Sequence, residues 1–519
     1  MRDTVGISGI PIDKLDTAKV LERIEEFIHN RRFHQVATAN TNFLVNALFD
    51  VELRHILRAC DLVVPDGMLV VWAAKLLGAS LMERVTGADM VPRLAEISAR
   101  KGYRIFMLGA KAEIAQRAKD NLIERYPGVQ IVGCYSPAPA SIVKMDNEGI
   151  LRLIEDAKPD ILLVAFGNPK QEKWIHMHQE RLNEIGVPVC IGVGGTFDFI
   201  SGTIPRAPRW MQRGGIEFFW RFLLDPLRLG KRYAHDFRHF IPNLLQQRFA
   251  LNRSGKSANG TLKIEPKAQH TVFRVKGTFG QKILERFEVE ADAAIDAGSH
   301  LVIDLSSVTQ FDAYAIGKII NLPKRASFRK RRVYLIPPAK GADKILKHSC
   351  LGSNLFHIVS CVEDAIGDAG KSDAWQLRVR ADGAVVTLLG ELERADTARL
   401  GTICATTLQK GKRVFIDARG LTYVDSYLML TLYKTAYPNG DDKSPYADLF
   451  RIVPGALLQS ALSHEKLTDA FTLIPAAEID TPPHRAEELA QNEDAEVKGS
   501  ETSLEPTANT VALFAPRSG

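Results

Sequence analysis

A single carboxylate stands where an acid–base catalyst could work, directly after a short apolar run in the first third of the chain. Asp66 lies between Pro65 and Gly67. A carboxylate beside a flexible glycine can act as a general base if a substrate hydroxyl reaches it. The same position also suits the N-cap of a helix that would begin at Met68. The local sequence leaves both interpretations open.

A second group of polar residues and glycines lies about a hundred residues further on. The group includes a glycine-rich turn with Gly192, Gly194 and Gly195. Such a turn could let the backbone approach a diphosphate, although glycine-rich turns are common in proteins. Asn168, Thr196 and Asp198 are open to the same two interpretations, ligand contact or turn and helix cap.

The usual signatures of phosphate and metal binding are missing from the sequence. It has no P-loop, no G-x-G-x-x-G after its first strand, and no D-x-D pair in its first 240 residues. If a nucleotide sugar binds, basic side chains and backbone amides must therefore neutralise its diphosphate. We expect no metal and no cofactor.

These residues need a scaffold, and the pattern from Val5 to Gly202 predicts one. The apolar runs that predict strands are His34–Ala39, Leu62–Pro65, Tyr103–Leu108, Gln130–Cys134, Asp160–Phe166 and Val187–Val193. The amphipathic segments that predict helices are Thr41–Ala59, Ala112–Tyr126, Ile150–Lys158 and Lys170–Glu184. This alternation indicates an α/β sandwich with a largely parallel sheet. The polar and glycine-rich residues fall at the carboxyl ends of the strands, where such sheets bind ligands.

The composition changes between Pro205 and Phe240, where eight basic residues face three acidic ones and carry most of the net charge of +6. Aromatic residues alternate with them, most densely over Phe218–Leu224. An amphipathic helix of this type suits the headgroup layer of an anionic membrane, and arginine binds phosphate bidentately. A helix that packs on the core with a solvated face is the alternative. Nucleic-acid binding is disfavoured, because the aromatic residues are clustered rather than spaced as stacking platforms.

The bulk composition restricts the class of protein. The length of 519 residues predicts two to four domains, and the six cysteines are dispersed, with no C-x-x-C pair. We therefore expect reduced, mostly buried thiols in a cytosolic protein. The N-terminus does not have the pattern of a signal peptide, and no uninterrupted apolar span is long enough to cross a membrane.

The second half of the chain contains an internal repeat. Gly277, Asp304 and Asp312 recur with identical spacing as Gly390, Asp417 and Asp425. In each copy the first aspartate closes an apolar strand and the second precedes an apolar, helix-like run. We predict two copies of one small α/β domain.

The motifs of the first half, in order, resemble those of a known family. They are Thr38-Ala39-Asn40, Pro65-Asp66-Gly67-Met68, Glu83-Arg84-Val85-Thr86-Gly87-Ala88-Asp89, Leu108-Gly109-Ala110, Phe166-Gly167-Asn168-Pro169-Lys170-Gln171-Glu172, Gly192-Val193-Gly194-Gly195-Thr196-Phe197-Asp198 and Arg206-Ala207-Pro208-Arg209-Trp210. This series closely resembles the WecG/TagA/CpsF family of bacterial glycosyltransferases (family 26). The resemblance covers about residues 5–240 and favours the general-base interpretation of Asp66.

The resemblance implies a metal-independent, inverting transfer of a hexose from a UDP-sugar to a saccharide linked to undecaprenyl diphosphate. It implies that Asp66 deprotonates the acceptor hydroxyl. The predicted substrate-binding residues are Thr38, Asn40 and Gln171 around the sugar, Arg84 with Gly194, Gly195 and Thr196 near the diphosphate, and Asn168 and Asp198. The predicted acceptor and membrane contacts are Arg206, Arg209, Arg213, Arg221, Arg228 and Arg232. Members of the family use different donor sugars, and no side chain here decides among them.

A second resemblance concerns the repeat. Ile303-Asp304-Leu305-Ser306 followed by Phe311-Asp312-Ala313, and their counterparts in the second copy, resemble a STAS domain (the anti-sigma-factor-antagonist fold). In that family the residue after the second aspartate is often phosphorylated by a partner kinase. Ser426 keeps this hydroxyl whereas Ala313 lacks it. Ser426 is therefore the predicted regulatory residue; a plain helix-start residue is the alternative. Asp304 and Asp417 could be turn formers at the strand ends.

These observations predict the following organisation: a glycosyltransferase domain (1–204), a basic aromatic appendage (205–248), a linker (249–269), two STAS-like domains (270–370 and 371–480) and a disordered tail (481–519). We expect a cytoplasmic protein bound peripherally to the inner face of the cell membrane, active in exopolysaccharide or surface-glycan synthesis. The expected partners are the donor, the lipid-linked acceptor, an anionic membrane and a regulatory protein, without nucleic acid. One alternative is a catalytically weak scaffold whose STAS-like pair binds a kinase or anti-sigma-type partner. Another is a soluble nucleotide-sugar enzyme such as an epimerase.

Overall fold

The computed structural model describes residues 2–81, 83–208, 210–211, 216–252, 260–267, 269–338, 346, 356–367, 375–379, 383–438 and 444–480. The chain divides into two compact units. The first comprises residues 1–138 and 146–370, and the second comprises residues 139–145 and 371–519. The predicted tail, 481–519, lies outside the described residues.

The first unit begins with an antiparallel hairpin of strands β1 (Thr4–Ile7) and β2 (Ile10–Asp13). A parallel sheet follows, with strands β3 (His34–Ala39), β4 (Leu62–Pro65), β5 (Arg104–Gly109), β6 (Gln130–Tyr135), β7 (Ile161–Ala165) and β8 (Val189–Gly192). Within the described residues its strand order is β4-β3-β8-β7-β5-β6. The structure thus confirms the predicted parallel sheet, and both ends of every predicted strand lie within two residues of the observed ends.

Helices cover this sheet: α1 (Thr17–Asn30), α2 (Thr41–Phe49), α3 (Val51–Ala59), α4 (Met68–Leu76), α5 (Gly87–Lys101), α6 (Ala112–Arg125), α7 (Asn147–Ala157), α8 (Lys170–Met177), α9 (Gln179–Glu184) and α10 (Thr196–Ile200). Two predicted helices are each divided in two. The helix predicted over 41–59 breaks at Asp50, whose carboxylate accepts a hydrogen bond from Leu53 N and caps α3. Aspartate competes with the helix in this way because its short side chain bonds nearby backbone.

Two helices form the basic aromatic segment, α11 (Glu217–Leu224) and α12 (Pro226–Asn252). The apolar face of α12 is buried, with Phe240, Leu244 and Leu251 almost fully covered. The predicted linker, 249–269, is wrong in part, because α12 continues to Asn252 and a strand occupies 261–267.

The two repeats have the same architecture. The first copy contains β9 (Thr261–Lys267), β10 (His270–Phe279), α13 (Gln281–Asp296), β11 (His300–Phe311), α14 (Ala313–Phe328), β12 (Val333–Ile336), β13 (His357–Ile358) and α15 (Val362–Gly367). The second contains β14 (Trp375–Val379), β15 (Gly383–Gly390), α16 (Arg394–Gln409), β16 (Arg413–Leu421), α17 (Ser426–Ala436), β17 (Phe450–Val453), α18 (Ala456–His464), β18 (Thr472–Leu473) and α19 (Ala477–Asp480). In both sheets an antiparallel first strand is followed by parallel ones. Over the described residues, the two copies therefore share one order of strands in their sheets.

The described thiols, Cys60, Cys134, Cys190, Cys361 and Cys404, are all free, and three of them are buried. Burial raises the pKa of Cys60, Cys190 and Cys404, which keeps these thiols protonated and unreactive at neutral pH.

Candidate functional site

Asp66 lies at the carboxyl end of β4, beside the end of the neighbouring strand β3. Its backbone N–H donates to Ala39 O at 2.9 Å, which places the two strand ends side by side. Its side chain is half-buried. Helix α4 takes Gly67 as its N-cap residue and has no side-chain cap bond in this described stretch. The N-cap residue of this helix is therefore Gly67 rather than Asp66, and the general-base interpretation of Asp66 stays a prediction.

Two predicted contacts on β3 and after it also have structural roles. Thr38 is buried, and its Oγ1 donates to Gly192 O at 2.9 Å, which ties β3 to the end of β8. Asn40 caps α2 by accepting from Asn42 N and Phe43 N. Asn40 remains half-buried at the strand-end edge, whereas the Thr38 hydroxyl is covered.

Gln171 holds two of the loops at this edge together. Its Oε1 accepts from Gly167 N at 3.1 Å and from Gly194 N at 2.9 Å. Gly194 has a φ of +52°, in the left-handed region. Because Gln171 is fully buried and its amide is used inside the protein, its observed role is to fix the backbone of the two loops.

Glu172 is a buried carboxylate that the sequence analysis did not single out. Its two oxygens accept from Gln171 Nε2 at 2.7 Å and from Asn168 Nδ2 at 2.9 Å. Asn168 Oδ1 in turn accepts from Asn46 Nδ2 at 2.7 Å. Burial raises the pKa of Glu172 to about 7, although these two amide donors partly oppose the shift. The sequence shows only that helix α8 has an apolar face. That pattern gives no reason to expect a carboxylate on the buried side of the helix.

Arg84 and Arg206 lie on opposite sides of a network of charged groups. Arg84 contacts Glu217 at 2.8 Å and Asp89 at 3.8 Å. Arg206 contacts Asp89 at 2.9 Å and Glu217 at 3.7 Å. Thr86 Oγ1 donates to Asp89 at 2.6 Å and completes the network. The structure thus brings together two arginines that the sequence placed in separate motifs, and it adds the carboxylates that balance them.

The turn after β8 is built as a compact support beside this network. Thr196 is buried and its Oγ1 donates to Val193 O at 2.6 Å. Gly87 approaches Thr196 so closely that a Cβ there would lie 2.7 Å from its Oγ1. Gly195 precedes α10, and Asp198 lies half-buried in its first turn.

Beside Arg206 the structure has a cavity of about 540 Å³, lined by residues of α5, α6 and α10. Arg206 and Arg125 contribute its basic groups, and Phe199 contributes apolar surface. The cavity therefore combines these basic groups with the carboxylate of Glu124 and an apolar wall.

The appendage exposes large apolar side chains together with positive charge. The exposed apolar residues are Trp210, Phe219, Leu223, Leu224, Leu227, Ile241, Leu245 and Phe249. Arg232 is exposed beside the ring of Tyr233. Arg209 and Arg213 lie outside the described residues, and Arg221 and Arg228 are described only as backbone of α11 and α12.

In the second repeat, Ser426 is the first residue of α17 and follows the cap Asp425, which accepts from Leu428 N at 2.8 Å. Ser426 is 3% exposed. A kinase would therefore reach its hydroxyl only after the surrounding residues open. The first aspartate of each copy accepts from the backbone N–H two residues on, as Asp304 does from Ser306 and Asp417 from Arg419. This is the turn-forming role that the sequence left open.

Among the residues that the structure describes, no group of three or more His, Cys, Asp or Glu side chains could hold a metal ion. Over the same residues, every helix is too short or too polar to cross a membrane.

Comparison with known proteins gives a family match for the first half of the chain. A model of the WecG/TagA/CpsF family of glycosyl transferases matches residues 5–254. An N-acetylglucosaminyldiphosphoundecaprenol N-acetyl-beta-D-mannosaminyltransferase of Bacillus subtilis is 31% identical over 43% of this chain and 85% of its own length. A protein of the same name from Staphylococcus aureus is 28% identical over 44% of this chain and 87% of its own.

The solved structure of the anti-sigma factor antagonist SpoIIAA in its unphosphorylated form matches 22% of this chain and all of its own, with 18% identity and a TM-score of 0.20. So low a score carries no argument about the fold of the repeats, and their likeness to STAS domains stays a prediction.

Proposed function

Because this chain belongs to the WecG/TagA/CpsF family of glycosyl transferases, we propose that it moves a hexose from a UDP-sugar to a saccharide linked to undecaprenyl diphosphate. The chain is a glycosyltransferase; the donor, the acceptor and the residue roles are the proposal. The observation that carries it is the position of Asp66, half-buried at the carboxyl end of β4 and next to the end of β3. The names of the relatives, which act on a lipid-diphosphate-linked sugar, support the choice of acceptor.

In this proposal Asp66 removes the proton from the acceptor hydroxyl as the hydroxyl oxygen attacks the anomeric carbon of the donor. The bond from that carbon to the UDP oxygen breaks on the opposite face, so the configuration inverts. UDP leaves with the electron pair, and the proton remains on Asp66 until it passes to solvent. A single base is sufficient for this displacement.

The loops at the strand ends would form the walls of the donor site. Gln171, held by Glu172, fixes the backbone at Gly167 and Gly194, and rigid support of this kind keeps reacting groups aligned. Asn40 would contact the sugar. Arg84 would balance the diphosphate charge after exchanging its contact with Glu217 for a phosphate. Thr38 and Gln171 would then act through the loops that they position.

The appendage would hold the enzyme at the cytoplasmic face of the membrane, where the acceptor lies. Its exposed aromatic and leucine side chains suit the boundary between headgroups and acyl chains, and its arginines suit anionic lipid. Arg206, Arg209, Arg213, Arg221, Arg228 and Arg232 are the proposed contacts to the acceptor phosphates and the membrane. The product would enter exopolysaccharide or another surface glycan.

For the repeats we propose a STAS-like fold and a regulatory protein partner for the second copy, with Ser426 as the site of control. A phosphate on Ser426 would add a dianion beside Asp425 and so disturb the packing around the start of α17.

The test uses the purified full chain with a panel of UDP-sugars and a lipid-diphosphate-linked N-acetylglucosamine acceptor, with UDP release as the readout. UDP-N-acetylmannosamine is the first donor to try. We expect release that needs the acceptor and persists with a chelator. In Asp66→Ala the rate should fall about a thousandfold or more, since general-base catalysis contributes on the order of 10²–10⁴. Asp156→Ala is the control, because it removes an exposed carboxylate of α7 from the same domain. Full activity in Asp66→Ala, with an intact fold, would contradict the proposed base.

A further inference from the structure

The first repeat contacts the hairpin β1–β2 of the transferase domain through one face of helix α14, and it does so at very short range. A Cβ added to Gly317 would lie 2.6 Å from Thr4 O, and one added to Gly6 would lie 2.6 Å from Ile316 Cγ2. Neither position has room for a side chain. The helix and the strand therefore touch backbone to backbone, which only glycine permits.

Polar contacts around these glycines are complementary as well. Asn321 is buried and its Nδ2 donates to Thr4 Oγ1 at 3.1 Å. Lys318 Nζ donates to Arg2 O at 2.9 Å, and Lys324 pairs with Asp61 at 2.7 Å. Buried polar groups with specific partners make a contact selective as well as stable.

The apolar side chains of both domains form one core. Ile7 and Ile12 of the hairpin, Phe240 of α12 and Ile316 and Ile320 of α14 belong to a single buried cluster. The family match ends at residue 254, so the hairpin and α12 belong to the transferase and α14 does not. The first repeat is thus packed as a part of the catalytic unit.

The other side of the hairpin holds the appendage. Gln247 of α12 is fully buried; its Nε2 donates to Gly6 O at 2.9 Å and its Oε1 accepts from Ser8 N at 3.0 Å. Asn243, one turn earlier, accepts from Ser8 Oγ at 2.8 Å. The same residue, Gly6, therefore meets α14 with its α-carbon and α12 with its carbonyl.

Nearer its N-terminal end, α12 contacts the edge of the candidate site. Asp236 is buried and accepts from Asn42 Nδ2 at 3.0 Å. Asn42 lies in the first turn of α2, two residues after the cap residue Asn40. A shift of α12 would therefore be felt both by the appendage and by the strand-end residues.

From these contacts we propose that the first repeat is an intramolecular clamp: α14 docks permanently on the hairpin, and the hairpin then fixes the base of the appendage helix α12 for acceptor binding. The partner of this face of the first repeat is the transferase domain of the same chain. The docking itself stands on the contacts above, whereas its effect on acceptor use rests on the proposed function.

The test is Gly317→Leu in the full chain. The three atoms nearest to the new Cβ all belong to Thr4, and leucine favours a helix interior more than glycine does, so the first repeat keeps its own fold. Gly6→Ala attacks the same contact from the hairpin with a smaller side chain. Gly367→Leu is the matched control, because it lies in the same repeat and a Cβ there meets nothing within 4 Å.

We expect Gly317→Leu to speed hydrogen exchange about tenfold or more in the hairpin, in α14 and in α12 around Asn243–Gln247. The KM for the lipid-linked acceptor should rise about tenfold while the KM for the donor stays within about twofold. Gly6→Ala should change both quantities in the same direction, and Gly367→Leu should change neither.

Faster exchange in the hairpin without a change in acceptor KM would overturn the clamp. Unchanged exchange in both Gly317→Leu and Gly6→Ala would overturn the docking contact. If the unsubstituted chain transfers no sugar to any acceptor, the proposed function fails. The exchange of α12 then decides the clamp alone: faster exchange on undocking supports it, and unchanged exchange rejects it.

Discussion

The two repeats share a framework but differ on one helix face. In both, the second aspartate caps the helix that follows: Asp312 accepts from Ala315 N and Asp425 from Leu428 N. The repeat spacing aligns Gly317 with Leu430 and Asn321 with Lys434. Asn321 is buried and bonded to the hairpin, whereas Lys434 is exposed.

One small fold can therefore serve either as a fixed part of an enzyme or as a module with its own surface. The aspartate caps and turns maintain the fold, and a few residues on one helix decide what the fold contacts. The helix start is buried in both copies, at Ala313 and at Ser426, but only the second copy has a hydroxyl there to modify.

The largest effect is expected when the aligned residues Asn321 and Lys434 are exchanged. Asn321→Lys places an ammonium group in the buried contact with Thr4, and we expect a loss of about 3 kcal/mol in the free energy of unfolding of the first unit. Lys434→Asn changes an exposed side chain and should stay within about 0.5 kcal/mol. Urea unfolding of the full chain measures both. Equally small effects in the two copies would show that the α14 face is not a docking face.

A second, smaller difference concerns pH. The second copy has Glu391 where the first has Thr278. Partial desolvation raises the pKa of Glu391 from 4.5 to about 7, helped by the negative charges of Asp425 and Glu393. A carboxyl whose pKa is raised by folding binds its proton more tightly in the folded state. The second unit should therefore lose a little stability as the pH rises from about 4.5 to 7, by about 1 kcal/mol or less because Glu391 is exposed to solvent, and then level off.

Glu391→Gln should abolish this slope, so the substituted chain gains on the unsubstituted one at pH 8 and not at pH 4.5. The comparison is made by urea unfolding of the second unit at both pH values. A slope that persists in Glu391→Gln would assign the proton to another group.

The smallest effects should come from the ion pairs of the two equivalent aspartates, Asp304 and Asp417, although the arginines that pair with them stand at different positions of the repeat. Arg274 pairs with Asp304 at 2.6 Å in the first copy, and Arg419 pairs with Asp417 at 2.7 Å in the second. Both arginines are about two-fifths exposed, so each change to alanine should cost about 1 kcal/mol or less. Thermal unfolding of the two variants is the measurement. A large cost in one copy alone would mean that the framework positions also carry docking energy.

The helices and strands could be predicted from the sequence because the patterns that indicate them are local. Leu62–Pro65 is a continuous apolar run between two aspartates, and the structure has a strand with the same limits. The repeat was readable because glycine and aspartate recur where backbone geometry requires them. The hairpin β1–β2 was missed, since its four-residue strands carry Gly6 and Pro11, both of which weaken a strand pattern.

Long-range contacts could not be read in this way. Gly317 looks like an unfavourable residue in a helix until Thr4, more than three hundred residues away, is seen against it. Arg84 was predicted as a phosphate ligand, but nothing in its own motif indicates Glu217 as its partner. Gln171 was predicted to face the sugar, and its burial became visible only with the loops at Gly167 and Gly194 in place.

Hydrogen exchange of the unsubstituted full chain tests most directly whether the first repeat is part of the catalytic unit. We predict that α14 and the hairpin Thr4–Asp13 open together, with the same protection against exchange and the same change of that protection with urea. The protection of α17 should change differently. Protection of α14 that follows α17 and is independent of the hairpin would contradict this prediction.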